Sequence, residues 1–284
     1  MNAALLLAIL LAQTTTQPAD SAKAATKAAE PAGKAAEAAA AAAPPNPVTW
    51  AGTVALGLIA LTGNSQTVTF ATNAAFERKS PEWILGIKAT AQYGQTTAAG
   101  ADSSAVTALA AGVQARGDRR LSQLTSLYLL GGIEADHLKA VEARPFAEVG
   151  VSLLWFDEKV GDLQKQSFRT DLGFRYGREY RFQYYPTRIG PSDPAFAAVT
   201  IAAPRVGAFY RYAFNKDVIF SQEVSLLGNV IDGRLLFTST SKLSSRLTER
   251  VGLGVSFVAN DDTIPAKGKV PLDTALTVGL EIGL

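Results

Sequence analysis

The chain has 284 residues, 48% of them hydrophobic and 18% charged, with 27 basic residues offsetting 25 acidic ones to leave a formal charge of +2. That length and aliphatic content suit one large all-β domain and exclude disorder throughout, and the balanced charge excludes the concentrated basic face that nucleic-acid binding needs. The absence of cysteine excludes disulfides, thiolate catalysis, thiolate metal sites and a lipid-modified cysteine, and one histidine leaves little room for a zinc centre, so no cofactor is implied.

From the N-terminus, Ala3 to Ala12 is an unbroken apolar stretch, too short to cross a bilayer as a helix and followed by small residues. It reads as an export signal over residues 1–12, with only the terminal amine as its positive leader charge. Residues 13–47 are alanine-rich, with Lys23, Lys27 and Lys34 set against Asp20, Glu30 and Glu37, and they end in Pro44, Pro45 and Pro47. Lacking an apolar stripe to dock, this segment reads as a flexible periplasmic leader. Val48 to Leu61 is uncharged, but Pro47 and Gly63-Asn64 bound it well below the roughly 20 residues a membrane helix needs, so a strand is expected. Glycine and asparagine accept positive φ, which makes Gly63-Asn64 a tight hairpin turn rather than a ligand contact.

Alternating polarity then predicts strands near 49–61, 66–77, 83–94, 104–116, 121–134, 143–155, 166–178, 204–213, 218–227, 234–242, 248–259 and 272–284. In the last of these, Leu276, Val278, Leu280, Ile282 and Leu284 share one parity while Ala275, Thr277, Gly279, Glu281 and Gly283 share the other. Strands of about ten residues that alternate in this way are the signature of a transmembrane antiparallel β-barrel, here spanning residues 48–284. Twelve strands, an even number, return both chain ends to the periplasm and put the long connections Glu179 to Ala203 and Asn260 to Pro271 outside. Trp50, Trp83 and Trp155, with Phe76, Tyr212 and Phe214, then fall at the periplasmic rim, and Tyr93, Tyr176 and Tyr180 at the other, where amphipathic rings are favoured.

The inward parity collects Lys88, Arg116, Glu148, Arg169, Asp171, Arg175, Arg205, Arg211, Glu223, Arg250 and Glu281 as lumen-lining residues. A Lys or Arg on the lipid face near the midplane would cost about 2 to 4 kcal/mol, so this segregation is what a lipid-spanning wall demands. Gln222, between Phe220 and Val224, breaks the pattern, which implies a rim position or a one-residue register error.

At Trp50-Ala-Gly-Thr-Val-Ala-Leu-Gly, followed by Thr62-Gly63-Asn64-Ser65, the chain resembles the bacterial family catalogued as domain of unknown function 481, described as salt-induced outer-membrane proteins. Further matches are Tyr128 to Glu134 leading through Asp136 to Arg144 and Glu148-Val149-Gly150, and the closing Leu272-Asp273-Thr274. The resemblance spans about residues 48 to 284 and implies an exported barrel without assigned chemistry. Outer-membrane barrels commonly finish on an aromatic residue read by the insertion machinery, whereas this chain finishes on Leu284.

The expected function is an outer-membrane barrel of a Gram-negative envelope, in contact with outer-membrane lipid and the barrel-insertion machinery. It is either a narrow pore for small solutes or ions with a weak anion preference, or a closed structural barrel. One alternative is a soluble periplasmic lipid-binding β protein, which requires the apolar parity to face inward. A second is a lipid hydrolase with His137 as base, for which no serine is evidently placed; a non-enzymatic role is expected instead.

Overall fold

The computed structural model describes residues 48–61, 65–98, 103–161, 163–184 and 187–283. The expected export signal, the leader and the Gly63-Asn64 turn lie outside the described residues. Within them the alternation becomes strand: β1 (Thr49–Leu61), β2 (Ser65–Lys79), β3 (Trp83–Ala98), β4 (Ala105–Arg120), β5 (Thr125–Asp136), β6 (Val141–Val160), β7 (Leu163–Arg181), β8 (Val199–Ala213), β9 (Val218–Gly228), β10 (Leu235–Arg246), β11 (Val251–Asp262) and β12 (Leu272–Gly283). Each pairs antiparallel with its neighbours in chain order, and β1 pairs with β12 to close the barrel.

One parity of each strand is bare and aliphatic. Leu58, Leu129, Val149, Leu172, Val206 and Leu280 are all exposed, Leu129 by 64%. The charges stand on the other parity, as Glu148 beside Val149, Asp171 beside Leu172, Arg205 beside Val206 and Glu281 beside Leu280, the arrangement of a membrane-spanning wall with polar residues inside. The soluble lipid-carrier alternative is thereby overturned, since its apolar parity would have to point inward. Gln222 keeps the outward register and satisfies its amide locally: its Nε2 donates to Ser239 Oγ at 2.9 Å and its Oε1 accepts from Ser241 Oγ.

The end of the barrel carrying Trp50 and Gly283 has short turns, and four of them share one device. Ser80 Oγ, Ser122 Oγ, Asn215 Oδ1 and Thr248 Oγ1 each accept the backbone N–H three residues on, from Trp83, Thr125, Val218 and Val251. A side-chain oxygen replaces the missing ladder partner, as Asx and Ser/Thr turns do. Trp50 and Trp83 open β1 and β3 at this rim, each with an arginine within 6 Å of its ring, Arg78 and Arg119. Trp155 does not close its strand as expected: β6 runs on to Val160 through bulges at 154/156 and 158/159, so the β6–β7 hairpin extends beyond the ring of tryptophans.

At the other end three connections pack together. Phe196, in a 3-10 turn Pro194–Phe196 between β7 and β8, is 2% exposed against Ala140 of the β5–β6 turn and Ala266 of the β11–β12 connection. Ile189 and Ala195 flank the cluster, and Lys139 bridges Asp273 at 3.2 Å.

The closing β1/β12 ladder is short. Its register runs from Thr53↔Gly283 to Leu56↔Leu280.

Candidate functional site

The lumen is the one internal space that the alternation creates, and its walls differ. On β4 to β8 many inward side chains are buried or half-buried, joined in three tiers of ion pairs. In the tier toward the Phe196 cluster, Glu179 accepts from Arg144 Nη2 at 2.7 Å, Arg181 Nε at 2.6 Å and Arg234 Nη1 at 3.0 Å. Arg234 also engages Asp262, and Arg144 approaches Glu134 at 3.5 Å. Arg234 lies in the β9–β10 turn, outside the strands; burial would lower its pKa, but hydrogen bonds and charge from Asp262 and Glu179 outweigh that and raise it, keeping it cationic.

In the middle tier, Glu148 is 1% exposed and takes bonds from Tyr128 Oη at 2.7 Å, Arg175 Nε at 2.7 Å and Arg205 Nη1 at 3.2 Å. Gly150 and Gly173 face each other across β6 and β7. A Cβ on Gly150 would come within 2.7 Å of Tyr128 Cε1, so this glycine pair makes the slot in which the tyrosine lies. In the third tier, Asp171 receives Arg116 Nη1 at 2.6 Å and Ser152 Oγ, while Arg116 also binds Asp118 at 2.7 Å and lies 4.1 Å from the Tyr128 ring. Arg169 Nε stands 3.3 Å from Asp171 Oδ1.

Lys88 and Glu223 bridge the lumen from β3 to β9 at 3.5 Å, both about half exposed, and Lys242 meets Glu281 at 2.8 Å between β10 and β12. Arg211 and Lys165, at the mouth beside the short turns, bond among the described residues to neutral groups: Arg211 to Gln164 Oε1 and Lys165 to the carbonyl of Ala213.

The opposite wall is of another kind. Among the described strand residues of the inward parity that lie away from the rims, the exposed ones are Thr53, Asn73, Lys88, Thr90, Gln92 and Ala275, all on β12, β1, β2 and β3. Burial on one side and exposure on the other place the solvated part of the lumen off axis, against this small, hydroxyl- and amide-bearing wall.

Of the sequence-predicted residues, Lys88, Arg116, Glu148, Arg169, Asp171, Arg175, Arg205, Arg211, Glu223 and Glu281 stand on strands, on the parity opposite the exposed aliphatics. Arg250 does not: β11 begins at Val251, and Arg250 is exposed in the preceding turn. The reading missed Asp118, Glu134, Arg144, Glu179, Arg181, Arg234, Lys242 and Asp262: the Glu179 tier, with Asp118 as a partner of Arg116 and Lys242 as that of Glu281. Extending the parity past each hydrophobic stretch would have found Asp118, two residues from Arg116.

His137 does not join this site; its ring stacks on Tyr184 at 4.3 Å at the capped end. Among the described residues no three His, Asp or Glu side chains are grouped to hold a metal ion.

Among solved structures, the chain is similar to the NanC porin, at 12% identity and a TM-score of 0.47, covering 82% of this chain and all of that one. An outer membrane channel from Pseudomonas putida F1 matches at 10% identity and a TM-score of 0.46 (85% and 97% covered), and the KdgM porin at 9% and 0.40 (82% and 98%). No curated protein matches. The family model described as "Protein of unknown function, DUF481" matches residues 54–284, nearly the whole barrel, and the chain belongs to that family.

Proposed function

We propose that the protein is a pore of the Gram-negative outer membrane that passes small hydrophilic solutes along the β12–β1–β2–β3 wall, with a weak preference for anions. One observation carries the reading: the exposed inward side chains away from the rims all stand on that wall, whereas the buried ones concentrate on β5 to β8. A closed structural barrel would bury both. The passage is lined by Thr53, Asn73, Thr90 and Gln92, groups that replace part of a solute's hydration without binding it tightly. Most lumen charges are paired, so selectivity falls to Lys165 and Arg211 at the mouth beside the short turns, which lack a carboxylate within salt-bridge distance among the described residues.

Thiol accessibility tests the route, because the chain has no native cysteine. In planar bilayers, a charged methanethiosulfonate reagent should lower the conductance of Gln92→Cys and Asn73→Cys and leave Ser152→Cys untouched. Reversal potentials in a KCl gradient should show anions favoured. Cation preference would remove the selectivity, and equal silence of all three cysteines would remove the off-axis passage.

A further inference from the structure

Where β1 meets β12, pairing stops while both strands continue. Beyond Leu56↔Leu280 no ladder pair joins them among the described residues, although β1 reaches Leu61 and β12 reaches back to Leu272. The early end of the β4/β5 ladder has a different origin: β5 stops at Asp136, and β4 alone extends further. Gly57 and Gly279 lie close across the seam just past that pair. A Cβ on Gly279 would lie 3.1 Å from Gly57 Cα, and one on Gly57 would lie 3.0 Å from Thr277 Cγ2.

The unpaired stretch lies in the apolar band. Leu58, Leu276 and Val278 flank it outside, exposed by 68%, 62% and 46%. Unpartnered backbone N–H and C=O groups are costly in hydrocarbon, and membrane barrels tolerate them only beside water or protein. Here the inward flank is the solvated wall, with exposed Ala275 on β12 and Asn73 on β2. Toward the same end lie the Glu179 tier and the Phe196 cluster of three packed connections.

We propose that the outer half of the β1/β12 seam is a lateral port, through which an amphiphile with a polar head and one acyl chain passes between the lumen and the surrounding membrane. The head occupies the lumen, hydrogen-bonded to the free backbone edges and Asn73, and the chain leaves between Leu58 and Leu276. The port rests on the solvated lumen proposed above and adds a route that an axial pore lacks.

The test staples the seam. Leu58→Cys with Val278→Cys, opposite one another by extension of the ladder, is joined by oxidation or by a bis-maleimide spacer. Val54→Cys with Ile282→Cys, a register pair in the closed part, is the control. The full chain is placed in vesicles loaded inside with nitrobenzoxadiazole-labelled lysophosphatidylcholine, and albumin outside extracts what emerges. Emergence should fall several-fold when the Leu58/Val278 pair is joined, recover on reduction of the disulfide, and ignore the control staple, while KCl conductance stays unchanged. Emergence indifferent to the Leu58/Val278 staple overturns the port. Emergence and conductance lost together overturn it as a separate route. A chain that conducts nothing unstapled overturns the pore reading instead, and the albumin assay still reports on the seam.

Discussion

Lys88 Nζ stands 3.5 Å from Glu223 Oε2 although β3 and β9 lie six places apart in the ring of twelve strands, directly across the lumen. The pair sets the width of the solvated passage at that level. Removing Lys88 leaves Glu223 alone in the path, so Lys88→Ala should raise single-channel conductance and move the reversal potential toward cations. Glu223→Gln should move it toward anions. Both side chains are about half exposed, where such a pair is worth about 0 to 1 kcal/mol, so the unfolding midpoint should scarcely change.

Glu148 presents the opposite case. Glu148→Gln leaves Arg175 and Arg205 facing each other without their shared counter-charge in a buried tier. Breaking a buried ion pair from one side costs about 3 to 5 kcal/mol. Urea unfolding in lipid vesicles, followed by the loss of heat-modifiable migration on gels, should show that cost.

The lipid-facing parity is tested at Leu129, 64% exposed midway along β5. Leu129→Arg should cost about 2 to 4 kcal/mol in a bilayer. The same substitution in a detergent that solvates the guanidinium should cost less. Equal cost in both media would argue that Leu129 touches protein, not acyl chains.

Phe196 holds three connections together at the capped end. Truncating a buried phenylalanine to alanine costs about 3 to 5 kcal/mol in a packed core, and here the loss is confined to the cap. Phe196→Ala should therefore leave the strands folded, speed proteolysis within 187–198 and increase open-channel noise.

Strand number and order were legible because the period of two survives through the middle of the strands, even where glycine or threonine replaces an aliphatic, and slips only at bulges toward their ends. Strand ends were not. Hydropathy fades at the membrane boundary while hydrogen bonding continues, so Glu179 and Arg181 read as loop although they are the last inward residues of β7. For the same reason Arg250 read as strand: Thr248 closes the β10–β11 turn with its own hydroxyl, and nothing in hydropathy marks that. The Glu179 tier was missed for that reason. The off-axis passage was illegible because it depends on which strands face each other across the ring.

The turns closed by Ser80, Ser122, Asn215 and Thr248 bear on how the barrel assembles. Each needs only residues within three positions of its oxygen, so the hairpins β2–β3, β4–β5, β8–β9 and β10–β11 close short loops at low loop-closure entropy. Pairing of β1 with β12 joins the two chain extremes and is the slowest contact to earn. Zippering thus begins at the short-turn end and ends at the seam, the joint whose ladder remains incomplete in the finished protein.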